Sequence, residues 1–145
     1  MGRTWIVLAE SSRARILEAA NPSSPLTEVA TLEHPEARAH ETELTSDLPG
    51  SRVASGGASR RGMTQATSPK QEHAVHFARA LADRLDHDLR DGRYHRLILA
   101  AAPKFLGHLR DELSTITSSV VALEYPKNWL HDDPKAIRAH LPDYL

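Results

Sequence analysis

The sequence predicts a single α/β domain built on a mixed five-stranded sheet, with an antiparallel meander followed by βαβα units and helices on both faces. Two continuous apolar runs, WIVLA at 5–9 and LILAA at 97–101, have strand length. A strand apolar at every position is one covered on both sides. Three strand-like segments follow one another at the start of the chain, joined by links too short for a parallel crossover. From Ser68 onward helical and strand patterns alternate, as they do where a sheet is extended by βα units.

Taken in order, the run at 5–9 is the central strand, and Glu10-Ser11-Ser12 turns the chain. RARILEA at 13–19 is the second strand, ended by Asn21, Pro22 and Pro25. Leu26, Glu28, Ala30 and Leu32 alternate with Thr27, Val29 and Thr31 in a third. The long helix begins with Ser68 as N-cap, Pro69 at the first helical position and Gln71 completing a capping box. Its apolar face is Ala74, Phe77, Ala78, Leu81, Leu85 and Leu89; Arg79–Asp83 and Asp86–Arg90 are i,i+4 pairs on its outer side, and Gly92 stops it. The run at 97–101 is the fourth strand. Pro103 opens a helix with Phe105 or Leu106, Leu109 and Leu113 inward, VVAL at 120–123 is a short buried fifth strand, and a last helix starts near Asp132-Asp133-Pro134 and runs to about Leu141, where Pro142 stops it. With right-handed crossovers this order is ribonuclease-H-like.

Composition bounds the function. The 145 residues suit one domain with a real core, and 40% hydrophobic against 26% charged residues is ordinary for a globular protein. A formal net charge of −1 means that any attraction to a polyanion is local. There is no cysteine, which excludes disulfides, thiolate nucleophiles and cysteine-ligated zinc. The apolar run at 5–9 is too short for a signal-peptide core or a membrane span, so a cytoplasmic location without membrane contact is expected.

Between the third strand and the long helix, at about 34–68, no helical or strand period is visible. Glu33, Glu36, Glu41, Glu43 and Asp47 make its first part acidic. The stretch GSRVASGGASRRGMTQATSPK at 50–70 then carries Arg52, Arg60, Arg61 and Lys70, the glycines Gly50, Gly56, Gly57 and Gly62, and no acid. A loop of this length inside a small domain is functional or disordered. Positive side chains on a glycine-rich backbone suit the tracking of a phosphate chain. The stretch has no aromatic residue for base stacking, which argues against sequence-specific reading.

Three stretches, TWIVLAESSRARILEA, GMTQATSPKQEHAVHFARALADRL and RLILAAAPKFLGHLRDEL, together resemble the bacterial family named "protein required for attachment to host cells", over nearly the whole chain. The resemblance implies kinship with the middle domain of archaeal and eukaryotic class I release factors, a mixed sheet with a long loop bearing Gly-Gly-Gln ahead of its long helix. Ser55-Gly56-Gly57-Ala58-Ser59-Arg60-Arg61 stands where that loop would lie. Ala58 takes the place of the glutamine that helps position the attacking water, and a methyl group neither donates nor accepts a hydrogen bond. Peptidyl-tRNA hydrolysis is therefore not expected.

Other chemistry finds less support. His73 and His76 beside Glu72 offer one helical turn of metal ligands, with the next ligand left to His34 or His40, and there is no H-E-x-x-H spacing; no metal or cofactor is expected. Ala102-Pro103-Lys104 puts a helix N-terminus after a central parallel strand, a place that favours anions, and Arg13 beside the Ser11-Ser12 turn would share it. A two-metal nuclease needs gathered carboxylates, yet the first and fourth strands have none within them and Glu10 stands alone. No G-x-S-x-G elbow points to a serine hydrolase. The expectation is a non-catalytic module that contacts RNA, a ribosome or tRNA through Arg52, Gly56, Gly57, Arg60, Arg61 and Lys70. The alternative is a protein–protein adaptor that affects attachment indirectly, its loop folding on an unidentified protein partner.

Overall fold

The computed structural model describes residues 2–33 and 69–145. The expected loop at about 34–68, with the Ser68 cap, lies outside the described residues. The elements run β1 (Thr4–Glu10), β2 (Arg13–Ala19), β3 (Leu26–Glu33), α1 (Pro69–Arg90), β4 (Arg96–Ala101), α2 (Pro103–Glu112), α3 (Thr115–Ser119), β5 (Val121–Tyr125) and α4 (Pro134–His140). The sheet order is β3-β2-β1-β4-β5. β1 pairs antiparallel with β2 and parallel with β4, β2 pairs antiparallel with β3, and β4 parallel with β5. This is the mixed sheet that the sequence predicts.

The alternation of side chains on β1 builds a core on each face. Trp5, Val7 and Ala9 join Ala14, Ile16, Leu97, Leu99 and the inner side of α1 and α2, including Phe77, Leu81, Leu85, Phe105 and Leu109. Ile6 and Leu8 join Leu17, Ala19, Ile98 and Ala100 under Leu130, Ile137, Leu141 and Leu145 of the C-terminal segment. Trp5 stacks on Tyr94 at 4.6 Å and donates from its indole Nε1 to Glu18 at 3.0 Å, so its one polar atom is satisfied inside the core.

Three local readings are corrected. On β3 the alternation does not hold: the pairing shifts between Ile16–Ala30 and Leu17–Glu28, leaving Val29 as an extra, exposed residue. A one-residue bulge reverses the face of what precedes it. Leu26 therefore packs in the core under α4, while Ala30 and Leu32 pack against the core under α1. Arg79 does not pair with Asp83; it reaches Glu112 of α2 at 3.2 Å, because the two helices pack together, whereas Asp86–Arg90 forms as expected at 3.1 Å. The segment after Glu112 forms the short helix α3, which was not expected. It is capped by Ser114, whose hydroxyl accepts from Thr117 N–H and donates to Asp86 at 2.8 Å. Helix ends follow the sequence elsewhere: Gly92 takes φ of 75° after α1, and Asp133 caps α4.

Two polar contacts lock the layers. Arg15 donates to the carbonyls of Leu130 (2.5 Å) and Asp132 (2.8 Å) and to both Glu28 oxygens, which ties the C-terminal segment to the sheet. Tyr94, fully buried, donates from its hydroxyl to Leu85 O at 2.6 Å. Burial, with the carboxylates of Asp88 and Asp86 adding to it, holds the Tyr94 hydroxyl well above the usual tyrosine range. No helix among the described residues is long and apolar enough to cross a membrane.

Arg15→Ala is expected to cost about 2–3 kcal/mol, since its bonds come from a charged donor to otherwise uncapped carbonyls. Denaturant unfolding measures the loss, and hydrogen exchange should rise first in residues 130–145; uniform exchange across the sheet would contradict the locking role. A group whose pKa is raised on folding supports stability fully below its unfolded value and withdraws that support as pH climbs past it. Stability should thus fall above about pH 10, and Tyr94→Phe should flatten that alkaline decline while costing about 1 kcal/mol at neutral pH.

Candidate functional site

The register of the sheet brings several chain turns to one edge. Glu10 at the end of β1 faces Arg13 at the start of β2, which faces Glu33 at the end of β3, and Ala9 faces Ala101 at the end of β4. Outside the carboxyl ends of parallel β1 and β4, a cavity of about 320 Å³ is lined by the starts of α1 and α2 and by the β1–β2 turn. In open α/β sheets this crevice is the usual ligand position. Glu10 and Ser11 come from the β1–β2 turn, Gln71 and Ala74 from the first turns of α1, and Ala102, Lys104, Phe105 and His108 from the start of α2.

The floor is apolar, with Ala74 and Phe105 buried in the adjoining core. The rim is polar. Glu10, Ser11 and His108 are half-buried and Lys104 is exposed, and none of these four side chains takes a hydrogen bond or ion pair among the described residues. Elsewhere on the described surface several arginines meet acids, as in Arg3–Glu18, Arg15–Glu28 and Arg110–Glu124. At the start of α2, Ala102 offers no side-chain cap and Pro103 has no N–H, so the N–H groups of Lys104 and Phe105 precede the first helical bond, Leu106 N to Ala102 O at 2.9 Å.

Lys104 therefore stands at the cavity. Arg13 stands on the same edge without lining it; its guanidinium Nε lies 3.7 Å from Glu33, is buried and makes no hydrogen bond among the described residues. Arg52, Gly56, Gly57, Ala58, Arg60 and Arg61 lie outside the described residues, and Lys70 is described only as a position in α1. Its neighbours Gln71 and Ala74 line the cavity, so the chain re-enters the fold at this same edge. Sequence reasoning missed the cavity role of Glu10, Gln71 and His108. Their positions carry no shared spacing, and Glu10 drew notice only as a lone carboxylate.

Two other groupings are already satisfied. His87, Asp88 and Asp91 come together at the end of α1, but Asp88 is held by Arg84 at 2.6 Å and Arg93 at 3.5 Å, and Asp91 by His87 at 3.3 Å. A wider depression beside α4 contains Arg138, whose guanidinium donates to the carbonyls of Pro22, Ser24, Pro142 and Asp143. Both are braces of the fold.

The family model described as "Protein required for attachment to host cells" matches residues 5–141, from the central strand to the end of the last helix. The chain belongs to this family. No curated protein matches it. Among solved structures, the crystal structure of the archaeal translation termination factor aRF1 is similar, with a TM-score of 0.50 and 10% sequence identity, over 97% of this chain and 35% of that one. At that identity the likeness is one of fold. This member of the host-attachment family thus shares the architecture of a segment of a termination factor.

Proposed function

We propose that this host-attachment protein is a non-catalytic module that binds RNA, on the ribosome or as tRNA, through the basic stretch at 50–70. The observation that supports the reading is where that stretch is tethered. The chain leaves the sheet at Glu33 and re-enters at Pro69, and both points belong to the edge that carries the cavity. Its arginines Arg52, Arg60 and Arg61, with Lys70, have no acid among them from 50 to 70, in a chain whose net charge is −1. A local positive element on a near-neutral body attracts a phosphate backbone without general polyanion affinity. The fold shared with a translation termination factor agrees with a partner in translation. Ala58 in place of a glutamine removes the group that would assist hydrolysis, so the module would bind without cleaving. Attachment to host cells would then be an indirect consequence, through the production of other components.

Co-sedimentation with ribosomes, and retention of tRNA, should weaken steeply with salt. Arg60→Ala/Arg61→Ala should reduce the slope by about one for each phosphate that these arginines neutralise. Binding that ignores salt and survives the double substitution would support a protein-binding adaptor instead. A lysate pull-down that is unchanged by nuclease would point the same way.

A further inference from the structure

The cavity between α1 and α2 joins features that a phosphate-tracking loop does not require. It has an apolar floor of Ala74 and Phe105, and its rim carries one side chain of each charge, Glu10 and Lys104. These two make no ion pair with each other, and neither has any other partner among the described residues. Several arginines on the same domain find acids, whereas Glu10 and Lys104 line one open cavity with their charges unspent. At about 320 Å³ the cavity lies at the small end of ligand sites, which span about 300–1,000 Å³. It is too small for a folded segment and large enough for a compact organic molecule.

The geometry points to a site for a small zwitterion with an apolar body, of the size and chemistry of an aromatic amino acid. Its ammonium faces Glu10, its carboxylate faces Lys104, and its body lies on Ala74 and Phe105. Ser11 and His108 supply further hydrogen-bonding groups around it. Each charge contact is weak in water, but a ligand that satisfies both at once gains over one that satisfies either. The inference goes beyond the RNA reading and does not depend on it, because none of its residues belongs to the stretch at 50–70 that carries that reading.

The test is a titration of the isotope-labelled full chain, followed by amide chemical shifts, with L-phenylalanine, phenethylamine and 3-phenylpropionate. The expected result is that phenylalanine moves the amides of Ser11, Ala74 and Phe105 and binds about fivefold more tightly than either half-molecule. Glu10→Gln should reduce phenylalanine to the affinity of 3-phenylpropionate, and Lys104→Ala should reduce it to that of phenethylamine, with circular dichroism unchanged in both. Absence of shifts at the cavity up to about 20 mM ligand would overturn the inference. So would phenylalanine and phenethylamine binding alike, or phenylalanine affinity that neither substitution alters.

Discussion

Everything in this domain is arranged to keep β1 dry. From Thr4 to Ala9 every residue of that strand is buried. A strand enclosed on both faces has no water to receive its N–H and C=O groups, so a neighbour must lie on each side of it. β2 and β4 take those places from Thr4 to Ala9, one antiparallel and one parallel. The two apolar faces then each need a cover. Helices α1 and α2 supply one, and the segment from Leu130 to Leu145 supplies the other. The covers cannot be exchanged freely, because Trp5 is stacked on Tyr94 on one side and Arg15 is bonded to Leu130 and Asp132 on the other.

The cavity follows from the same constraint. Burial stops where β1 stops, and Glu10 is the first residue of the strand to be partly exposed. Beyond it the sheet no longer fills the space between α1 and α2. The polar ends of several elements collect there, and among them Glu10, Ser11, Lys104 and His108 have no side-chain partner among the described residues. The His87–Asp88–Asp91 group and Arg138 show the contrast, since their charges are consumed by neighbouring side chains and carbonyls. Charge alone does not distinguish a site from a brace on this surface. What sets this cavity apart from the braces is charged side chains that line open volume without a partner among the described residues.

Membership in the host-attachment family and likeness to a termination factor speak to architecture. A shared sheet order does not transfer an activity, because activity resides in particular side chains placed on a fold. The likeness therefore supplies a scaffold, and the chemistry performed on it is a separate matter.

Much of the fold was legible because it rests on signals carried by neighbouring residues. The apolar runs at 5–9 and 97–101 marked the inner strands, the period of Ala74, Phe77, Leu81 and Leu85 marked the long helix, and Pro103, Asp133-Pro134 and Gly92 marked its punctuation and that of its neighbours. The place of Lys104 at a helix start was legible for the same reason, since Pro103 stands beside it. The bulge at Val29 was not legible: it depends on which residue of β2 each residue of β3 meets, and alternation within β3 is silent about that. Nor was the Arg79–Glu112 pair, which arises from the packing of two helices. The cavity belongs with these. Residues 10, 71, 104 and 108 share no spacing along the chain, and only the pairing of β1 with β4 and the packing of the two helices on the sheet bring them to one place. Local pattern determined which segments fold and which faces they bury; tertiary pairing decided which polar groups would be left facing a common space, because that depends on distances between segments the chain keeps far apart.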